Sequence, residues 1–335
     1  MIGYTVAYSG LLDGDNPLAG QETPYHGPQR IAFNQGKPTA VALHHQVKGP
    51  ARVEGELVQK ELQPFHIQLS APDTSFAFGL RSDKEGRLQL YQSGEGIEHV
   101  VKQSDASFSL KPNQKYRVQL LHIPDEPLRV AVTDPESGKR WVAAGTVAME
   151  GETYQAEIEG MKGTIYQKDQ VTPVRVDQAK LDWMNHYPWN LVYGEGTIEG
   201  SRLVLPQDTL VKVSGTSVFH LGFRRSENYL GQPFQGELES VDGTRFQVLW
   251  DKDSNLKLVD ASDGEKVLAT KSLGWEWDPE KDADLKVSTE NNRLRVQLKQ
   301  GDRIATLTYQ HDEPLAFRDL SIKSPAGLEL INPSS

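Results

Sequence analysis

The chain has 335 residues, a formal net charge of −10 and no cysteine. Without thiols it can form no disulfide, thiolate metal site or cysteine nucleophile. The negative charge disfavours nucleic acid and anionic membrane surfaces as partners. No apolar run approaches the ~18 residues of a membrane-spanning helix, so membrane insertion is not expected.

Short segments in which apolar and polar residues alternate occur along the whole chain. Phe65–Leu69 and Phe246–Val248 are examples, and turn sequences such as Asp134–Gly138 separate these segments. A period of two is typical of strands that bury one face, and many short strands of this kind predict a β-sandwich or barrel. The sequence therefore predicts an all-β protein.

Similar segments recur in the same order in the two halves of the chain. An ordered repeat is hard to obtain by chance, so a duplicated β unit is the simplest explanation. We therefore predict that the halves superpose, with Phe65 on Phe219 and Leu128 on Leu294. The matching segments are Phe65–Leu69 with Phe219–Phe223, Arg87–Tyr91 with Arg245–Leu249, and Pro127–Val130 with Arg293–Val296.

The order of elements in each half resembles the concanavalin A-like jelly rolls of the laminin-G and glucanase kind. In the first half, an opening strand at Val53–Val58 precedes a hairpin at Phe76–Tyr91, and strands at Asn113–Leu120 and Leu128–Thr133 follow. The resemblance covers about residues 40–165 and 190–330. It implies two tandem antiparallel β-sandwiches.

The predicted domain organisation follows from the repeat and from a single helical segment. Helical spacing is found at Asp177–Asn185, between Pro173 and Pro188. The prediction is an N-terminal arm or long loop over residues 1–40, a first sandwich over 41–170, a connector with a short helix over 171–190, and a second sandwich over 191–335.

The resemblance implies recognition of a glycan or polysaccharide by a secreted, periplasmic or cell-surface protein. One alternative is a glycoside hydrolase or lyase that acts in a groove of the sandwich. Another is a structural or adhesive module, which would bind a protein partner. The segment Met1–Thr5 lacks the basic and apolar character of a signal peptide, so a cytoplasmic location stays open.

Aromatic side chains outside the strands are the candidate carbohydrate-binding residues, because sugars lay their C–H faces on flat rings. Trp275 and Trp277 flank Glu276 in a turn-rich stretch, and alternation would place both rings on one face. The alternative is that such rings fill interfaces or cap the sandwiches. The candidates in the connector are Trp183, Tyr187 and Trp189.

Paired carboxylates are candidate catalytic groups, since glycosidases use two of them about 5–10 Å apart. Glu237 and Glu239 are two residues apart in a predicted strand and would face the same way. Glu157 and Glu159 have the same spacing. The alternative is a solvated strand face, and the strand motif of the jelly-roll glucanases is absent.

His66 and His220 are the other candidate catalytic residues. Each follows a phenylalanine in the repeated segment. If the phenylalanine faces the core, the histidine faces the opposite side of its sheet, where it could act as a base. The alternative is packing inherited through duplication.

A structural calcium ion is the one cofactor that the sequence leaves possible. Asp251, Asp253 and Asn255 place oxygen ligands at alternate positions, and Ca²⁺ binds such ligands. A turn between two strands explains the same residues without a metal.

Overall fold

The computed structural model describes residues 4–7, 25–26 and 30–332, with gaps at 72–75, 95–96, 148–152, 216, 227–232, 252, 263–264 and 326. The chain divides into two compact units, Met1–His186 and Tyr187–Ser335. All strand pairs described below are antiparallel, so the predicted all-β class of antiparallel sandwiches is confirmed. That each unit folds independently, with the predicted domain boundaries, stays a prediction.

The described residues of the first unit form fourteen strands. They are β1 (Tyr4–Ala7), β2 (Tyr25–His26), β3 (Arg30–Phe33), β4 (Thr39–Lys48), β5 (Ala51–Gln59), β6 (Phe65–Ser70), β7 (Ala77–Ser82), β8 (Leu88–Gly94), β9 (Ile97–Gln103), β10 (Lys115–His122), β11 (Leu128–Thr133), β12 (Arg140–Gly145), β13 (Thr153–Gly160) and β14 (Thr164–Pro173).

These strands make two sheets that share a core. One sheet has the order β1–β3–β14–β5–β10–β11–β12. The short strand β2 also pairs with β14, next to the segment of β14 that pairs with β3. The other has the order β4–β13–β6–β7–β8–β9. Strands such as β6 and β13 bury alternate side chains, and the inward residues of both sheets form one hydrophobic cluster that includes Ile67, Leu80, Val118 and Val130. Within the predicted N-terminal arm, β3 belongs to the first sheet.

A single helix, α1 (Val176–Trp183), follows β14 in the described chain. It ends earlier than predicted because Asn185 and His186 have left-handed backbone conformations, with φ of 57° and 61°. The helix docks on the first unit through Trp183, whose carbonyl oxygen accepts hydrogen bonds from Arg140 Nε at 3.2 Å and Nη2 at 2.9 Å. No helix in the described part of the chain has the length and apolar character needed to cross a membrane.

In the second unit, the part of the chain that the structure describes forms thirteen strands. They are β15 (Trp189–Glu199), β16 (Arg202–Leu205), β17 (Leu210–Ser214), β18 (Val218–Arg225), β19 (Phe234–Ser240), β20 (Arg245–Trp250), β21 (Asn255–Asp260), β22 (Lys266–Ser272), β23 (Ala283–Glu290), β24 (Arg293–Gln300), β25 (Arg303–Gln310), β26 (Phe317–Lys323) and β27 (Leu328–Ile331).

The second unit also has two sheets. One has the order β15–β16–β27–β18–β23–β24–β25 and the other the order β15–β17–β26–β19–β20–β21–β22. Strand β15 contributes to both because its register shifts between Leu191 and Tyr193, and its two halves pair with different strands.

The two units have the same strand order. The series β14–β5–β10–β11–β12 corresponds to β27–β18–β23–β24–β25, and β13–β6–β7–β8–β9 corresponds to β26–β19–β20–β21–β22. Leu128 on β11 and Leu294 on β24 therefore lie on equivalent strands, as predicted.

The predicted match of Phe65 with Phe219 is wrong by one strand. Phe65 begins β6, whose equivalent is β19, whereas Phe219 lies on β18, the equivalent of β5. The match of Arg87–Tyr91 with Arg245–Leu249 is displaced in the same direction, since β8 corresponds to β21 and not to β20. Neighbouring strands carry the same apolar alternation, so the pattern alone does not identify which strand is repeated.

Candidate functional site

The outer side of the six-stranded sheet in the first unit carries a continuous set of polar side chains. Phe65, Ile67 and Leu69 of β6 are buried in the core, so the residues between them point the other way. The strand register then aligns the outward residues of four neighbouring strands. We call this surface the polar face. Its members are Gln155, Glu157 and Glu159 on β13, His66, Gln68 and Ser70 on β6, Arg81 on β7, and Gln89 and Tyr91 on β8.

A glycine at the centre of the polar face lets two of its side chains meet. Gly79 lies between Gln68 and Tyr91 in one row of the sheet. A Cβ atom at this position would lie 2.2 Å from the carbonyl oxygen of Ile67 and 2.7 Å from Gln68 Cα. With no side chain in the row between them, the Tyr91 hydroxyl donates a hydrogen bond to Gln68 Oε1.

Arg81 is held in place by three neighbours. Its Cζ atom lies 4.9 Å from the centroid of the Tyr91 ring, a cation–π distance. Its Nε donates to Gln89 Oε1 at 2.7 Å, and its Nη1 forms an ion pair with Glu98 on β9. The guanidinium plane is therefore fixed before any ligand arrives.

Two carboxylates lie along β13 on the same side of the sheet. Glu157 Oε2 accepts a hydrogen bond from Gln68 Nε2 at 2.9 Å and one from Ser70 Oγ at 3.5 Å. Glu159 is directly opposite His66 in the strand register. The two carboxylates, His66 and the Gln68 amide thus lie on adjoining rows of one surface.

Burial keeps His66 neutral and makes Glu159 a weaker acid. Burial, and to a lesser extent the nearby charge of Arg81, lower the pKa of His66 to about 4. Burial also raises the pKa of Glu159, to which the charges of Glu157 and Glu98 add. At neutral pH the face offers a neutral imidazole and three amides beside its charged groups.

Of the four predicted catalytic residues, only His66 belongs to the polar face. His220 is exposed on β18, in the other type of sheet, with Nε2 3.2 Å from Asp284 Oδ1. Since β18 is not the equivalent of β6, the prediction that His66 and His220 occupy equivalent positions is wrong.

Glu237 and Glu239 lie on β19, the equivalent of β6, and both point away from the core. They are opposite Gln247 and Arg245 on β20. Among the described outward residues of β17, β26, β19, β20 and β21, none is aromatic. A catalytic role for this pair stays a prediction.

The aromatic residues of the predicted connector are buried. The Trp183 indole donates to the carbonyl oxygen of Val130 at 3.1 Å, and Arg129 lies over its ring. Tyr187 and Trp189 stack on each other with a centroid distance of 5.0 Å. Protein atoms therefore cover these rings, and a role for them in carbohydrate binding stays a prediction.

Trp275 and Trp277 do not form the exposed platform that their spacing predicts. Trp277 is only 7% exposed, because its ring lies 5.9 Å from Phe223 and 4.0 Å from Trp250. Trp275 is half-buried. The stretch is not a regular strand, so the i, i+2 rule for a common face does not apply there. Carbohydrate binding by these two residues stays a prediction.

The proposed calcium ligands form a turn. Asp251 Oδ1 accepts hydrogen bonds from the backbone N–H groups of Asp253 at 3.0 Å and Asn255 at 2.9 Å, and its Oδ2 is 2.6 Å from Lys257 Nζ. In the part of the chain that the structure describes, no group of three or more acidic or histidine side chains is arranged to hold a metal. Calcium binding stays a prediction.

Sequence reasoning identified His66 and the Glu157–Glu159 spacing but not that they share one surface. Gln68, Arg81 and Gln89 were missed. These residues could have been found from the alternation itself. In a strand whose alternate residues are strongly apolar and face the core, the residues between them must lie on the opposite face of the sheet.

Comparison with known protein families and with curated proteins finds no match. Among solved structures, the chain is similar to the LG1–3 region of the laminin α2 chain, with 11% identity over 93% of this chain and a TM-score of 0.32. The chain spans 61% of the length of that fragment. It is also similar to domains LG4–5 of the mouse laminin α1 chain, with 11% identity, a TM-score of 0.28, and coverage of 85% of this chain and 82% of that one.

A third similar structure is the carbohydrate-binding module CBM66 from Bacillus subtilis. Here the identity is 17% and the TM-score 0.30, over 43% of this chain and 91% of that one. These are folds of the concanavalin A-like kind that the sequence resembles. Each TM-score is below 0.5, so the fold assignment rests on the strand order and pairing described above.

Proposed function

We propose that the polar face binds a carbohydrate and that the protein recognises a polysaccharide outside the cytoplasm. The observation that carries the proposal is the fixed arrangement of Arg81, Gln68 and His66 around the buried Tyr91. Each sugar hydroxyl donates and accepts hydrogen bonds, and these side chains supply both kinds of partner.

The arrangement is ordered before binding, which favours affinity. Arg81 is held by Tyr91, Gln89 and Glu98, and Gln68 by Tyr91 and Glu157. Side chains that are already fixed lose little conformational entropy when a ligand binds. A surface of loosely held polar groups would have no such advantage.

The charge of the face favours a neutral or cationic sugar. Glu157 and Glu159 on the face and Glu98 beside it carry three negative charges when ionised, against one positive charge on Arg81. The whole chain adds to this field with its net charge of −10. A densely anionic glycan is repelled by this surface.

The test is titration of a panel of neutral oligosaccharides by calorimetry against wild type and Arg81→Ala. We expect the variant to lose roughly tenfold or more in affinity for a ligand that the wild type binds, since charge-assisted hydrogen bonds contribute about 1.5–3 kcal/mol. The matched control is Arg245→Ala, which removes an outward arginine from β20, the equivalent of β7. Equal losses in both variants, or none in Arg81→Ala, would contradict the proposal.

The β13 carboxylates support a second candidate function, hydrolysis of a glycan. Glu159 with its raised pKa suits a general acid, and Glu157 beside it suits a nucleophile or base. Release of reducing sugar from a polysaccharide panel, lost in Glu159→Gln but kept in Glu237→Gln, would support an enzyme. Release lost only in Glu237→Gln would support the other carboxylate pair, and no glycan binding at all would favour a structural or adhesive module.

A further inference from the structure

A cleft with a volume of about 430 Å³ opens at one end of the first unit. Three connections between the two sheets form its walls. The lining residues are Gly36 between β3 and β4, Lys60, Glu61 and Gln63 between β5 and β6, and Met161, Lys162 and Gly163 between β13 and β14.

The walls of the cleft are tied together by backbone hydrogen bonds. The Lys60 N–H donates to the carbonyl oxygen of Gly163 at 3.0 Å, and the Lys162 N–H donates to that of Gln35 at 2.7 Å. These bonds join all three connections, so the cleft is formed in the absence of a ligand. Its volume is within the range of small-molecule sites, about 300–1,000 Å³.

The cleft is cationic on an acidic protein. Lys60 and Lys162 are exposed, and within the described residues neither ammonium group forms a salt bridge. By contrast, Lys115 and Lys168 of the same unit both pair with Glu56. With Glu61 counted, the lining carries a formal charge of +1, against −10 for the chain.

The cleft adjoins the polar face along the strands. Strand β6 begins at Phe65, two residues after Gln63, and β13 ends at Gly160, immediately before Met161. The row of the polar face at this end contains His66 and Glu159. At about 3.3 Å per residue, His66 is roughly 10 Å along the chain from Gln63, so one oligosaccharide can reach both.

We propose that this cleft binds the carboxylate of an acidic sugar residue, at one end of a glycan whose neutral residues lie on the polar face. The inference rests on the proposed function of that face. A uniformly anionic chain is disfavoured because the three carboxylates of Glu98, Glu157 and Glu159 would repel its other residues.

The experiment uses pairs of oligosaccharides that differ only in a C6 carboxylate on one terminal residue. Each pair is titrated into the full chain by calorimetry. We expect wild type to bind the acid-ended member about 3–10 times more tightly, as an exposed charge pair contributes up to about 1 kcal/mol and two lysines are present. The advantage should shrink as salt rises from about 20 to about 300 mM.

Three variants test the cleft. Lys60→Gln and Lys162→Gln together should abolish the advantage and leave binding of the neutral member unchanged. Gly36→Gln adds a neutral side chain to the cleft wall, at a position where no atom lies within 4 Å of a Cβ, and should act in the same way. The control is Lys48→Gln, which removes a lysine at the other end of β4 and should change nothing.

The outcomes separate the two proposals. Equal affinity for both members of a pair, or an advantage that survives in the double variant, overturns the cleft proposal. If the neutral member then still binds in an Arg81-dependent way, the polar face stands. If only the acid-ended member binds, and through the two lysines, the cleft stands and the polar-face proposal fails.

Discussion

Tyr91 is on the outer side of its sheet and is nevertheless only 1% exposed. Arg81 and His66 cover its ring, with the His66 centroid 5.4 Å away. Its ring is therefore unavailable as a stacking surface for sugar. Its ring and hydroxyl instead position the Arg81 and Gln68 side chains around it.

The Tyr91 hydroxyl can be tested separately from its ring. Tyr91→Phe keeps the surface beneath Arg81 but removes the hydrogen bond to Gln68. We expect glycan affinity to fall several-fold and the free energy of unfolding to fall by about 1 kcal/mol. Calorimetry and denaturant unfolding measure the two quantities, with Tyr193→Phe on β15 as the control. An unchanged affinity would show that the orientation of Gln68 is irrelevant to binding.

Two histidines, the buried His122 and the half-buried His66, should make the protein less stable in acid. Burial lowers the pKa of His122 to about 4, as it does for His66. The unfolded chain, with a pKa near 6.5, therefore binds protons more readily than the folded chain. Stability should be constant above about pH 7 and fall as the pH drops from about 6.5 towards 4, by on the order of 3 kcal/mol for His122 at the end of that range.

The measurement is the free energy of unfolding as a function of pH for wild type and His122→Phe. His122 packs against Phe78 and Tyr154 with centroid distances of 6.3 and 5.2 Å, so a phenyl ring suits the site. The variant should lose less stability in acid than wild type. His99→Gln, at an exposed position, is the control, and identical slopes for wild type and His122→Phe would exclude His122 as the cause.

At the scale of the element, the spacing of β6 and β7 depends on Gly79. A side chain there would meet the backbone of β6, and backbone atoms cannot move aside as the end of a flexible side chain can. Gly79→Ala should therefore destabilise the protein by about 1–3 kcal/mol and weaken glycan binding as well. Denaturant unfolding checks the first effect, with Gly36→Ala as a control at an open position. If Gly79→Ala were as stable as wild type, β6 and β7 would have to move apart at no cost, and the prediction would be wrong.

The sequence predicted where the strands lie far better than which strands pair with each other. Alternation identified segments such as Phe65–Leu69 and the turns between them, because burial of one face is a local pattern. The position of β13 between β4 and β6 is not local, and the bond from Gln68 to Glu157 joins residues 89 positions apart. For the same reason, the polar face could be predicted only strand by strand.

The roles of the aromatic residues were also not predictable from the sequence. Trp277 and Trp189 were assigned to ligand binding because they lie outside regular alternation, yet both are buried. A large ring in an irregular segment can cover the end of a core as readily as it can bind sugar. Composition and spacing do not separate the two roles, which depend on which rings the fold brings together.

For the whole molecule, net charge should set the response to polyanionic glycans. A chain with a charge on every residue should bind more weakly than a neutral chain of equal length at low salt, because the protein carries −10. Added salt should reduce this difference and leave neutral binding almost unchanged. Titration of a neutral and a fully sulfated oligosaccharide at two salt concentrations checks this. Tight, salt-sensitive binding of the sulfated chain would contradict it.

The two units share a strand order but present different surfaces on equivalent sheets. The second unit has Glu237 and Glu239 where the first has Gln68 and its neighbours, and its face includes an ion pair between Lys212 and Asp319 at 3.1 Å. A common arrangement of strands therefore does not imply two equal binding sites. The Arg245→Ala control tests this difference directly.

The position of β13 also has a consequence for biosynthesis. Strands β6 to β9 form a meander of neighbouring hairpins and can pair as soon as they leave the ribosome, but β13 inserts between β4 and β6. Until residue 160 has been made, β6 has an open edge of unpaired backbone groups, which is the type of edge that aggregates. Glu157 and Glu159 join the polar face only when β13 pairs with β6. A chain stalled before β13 would therefore expose the unpaired, aggregation-prone edge of β6 beside the incomplete polar face.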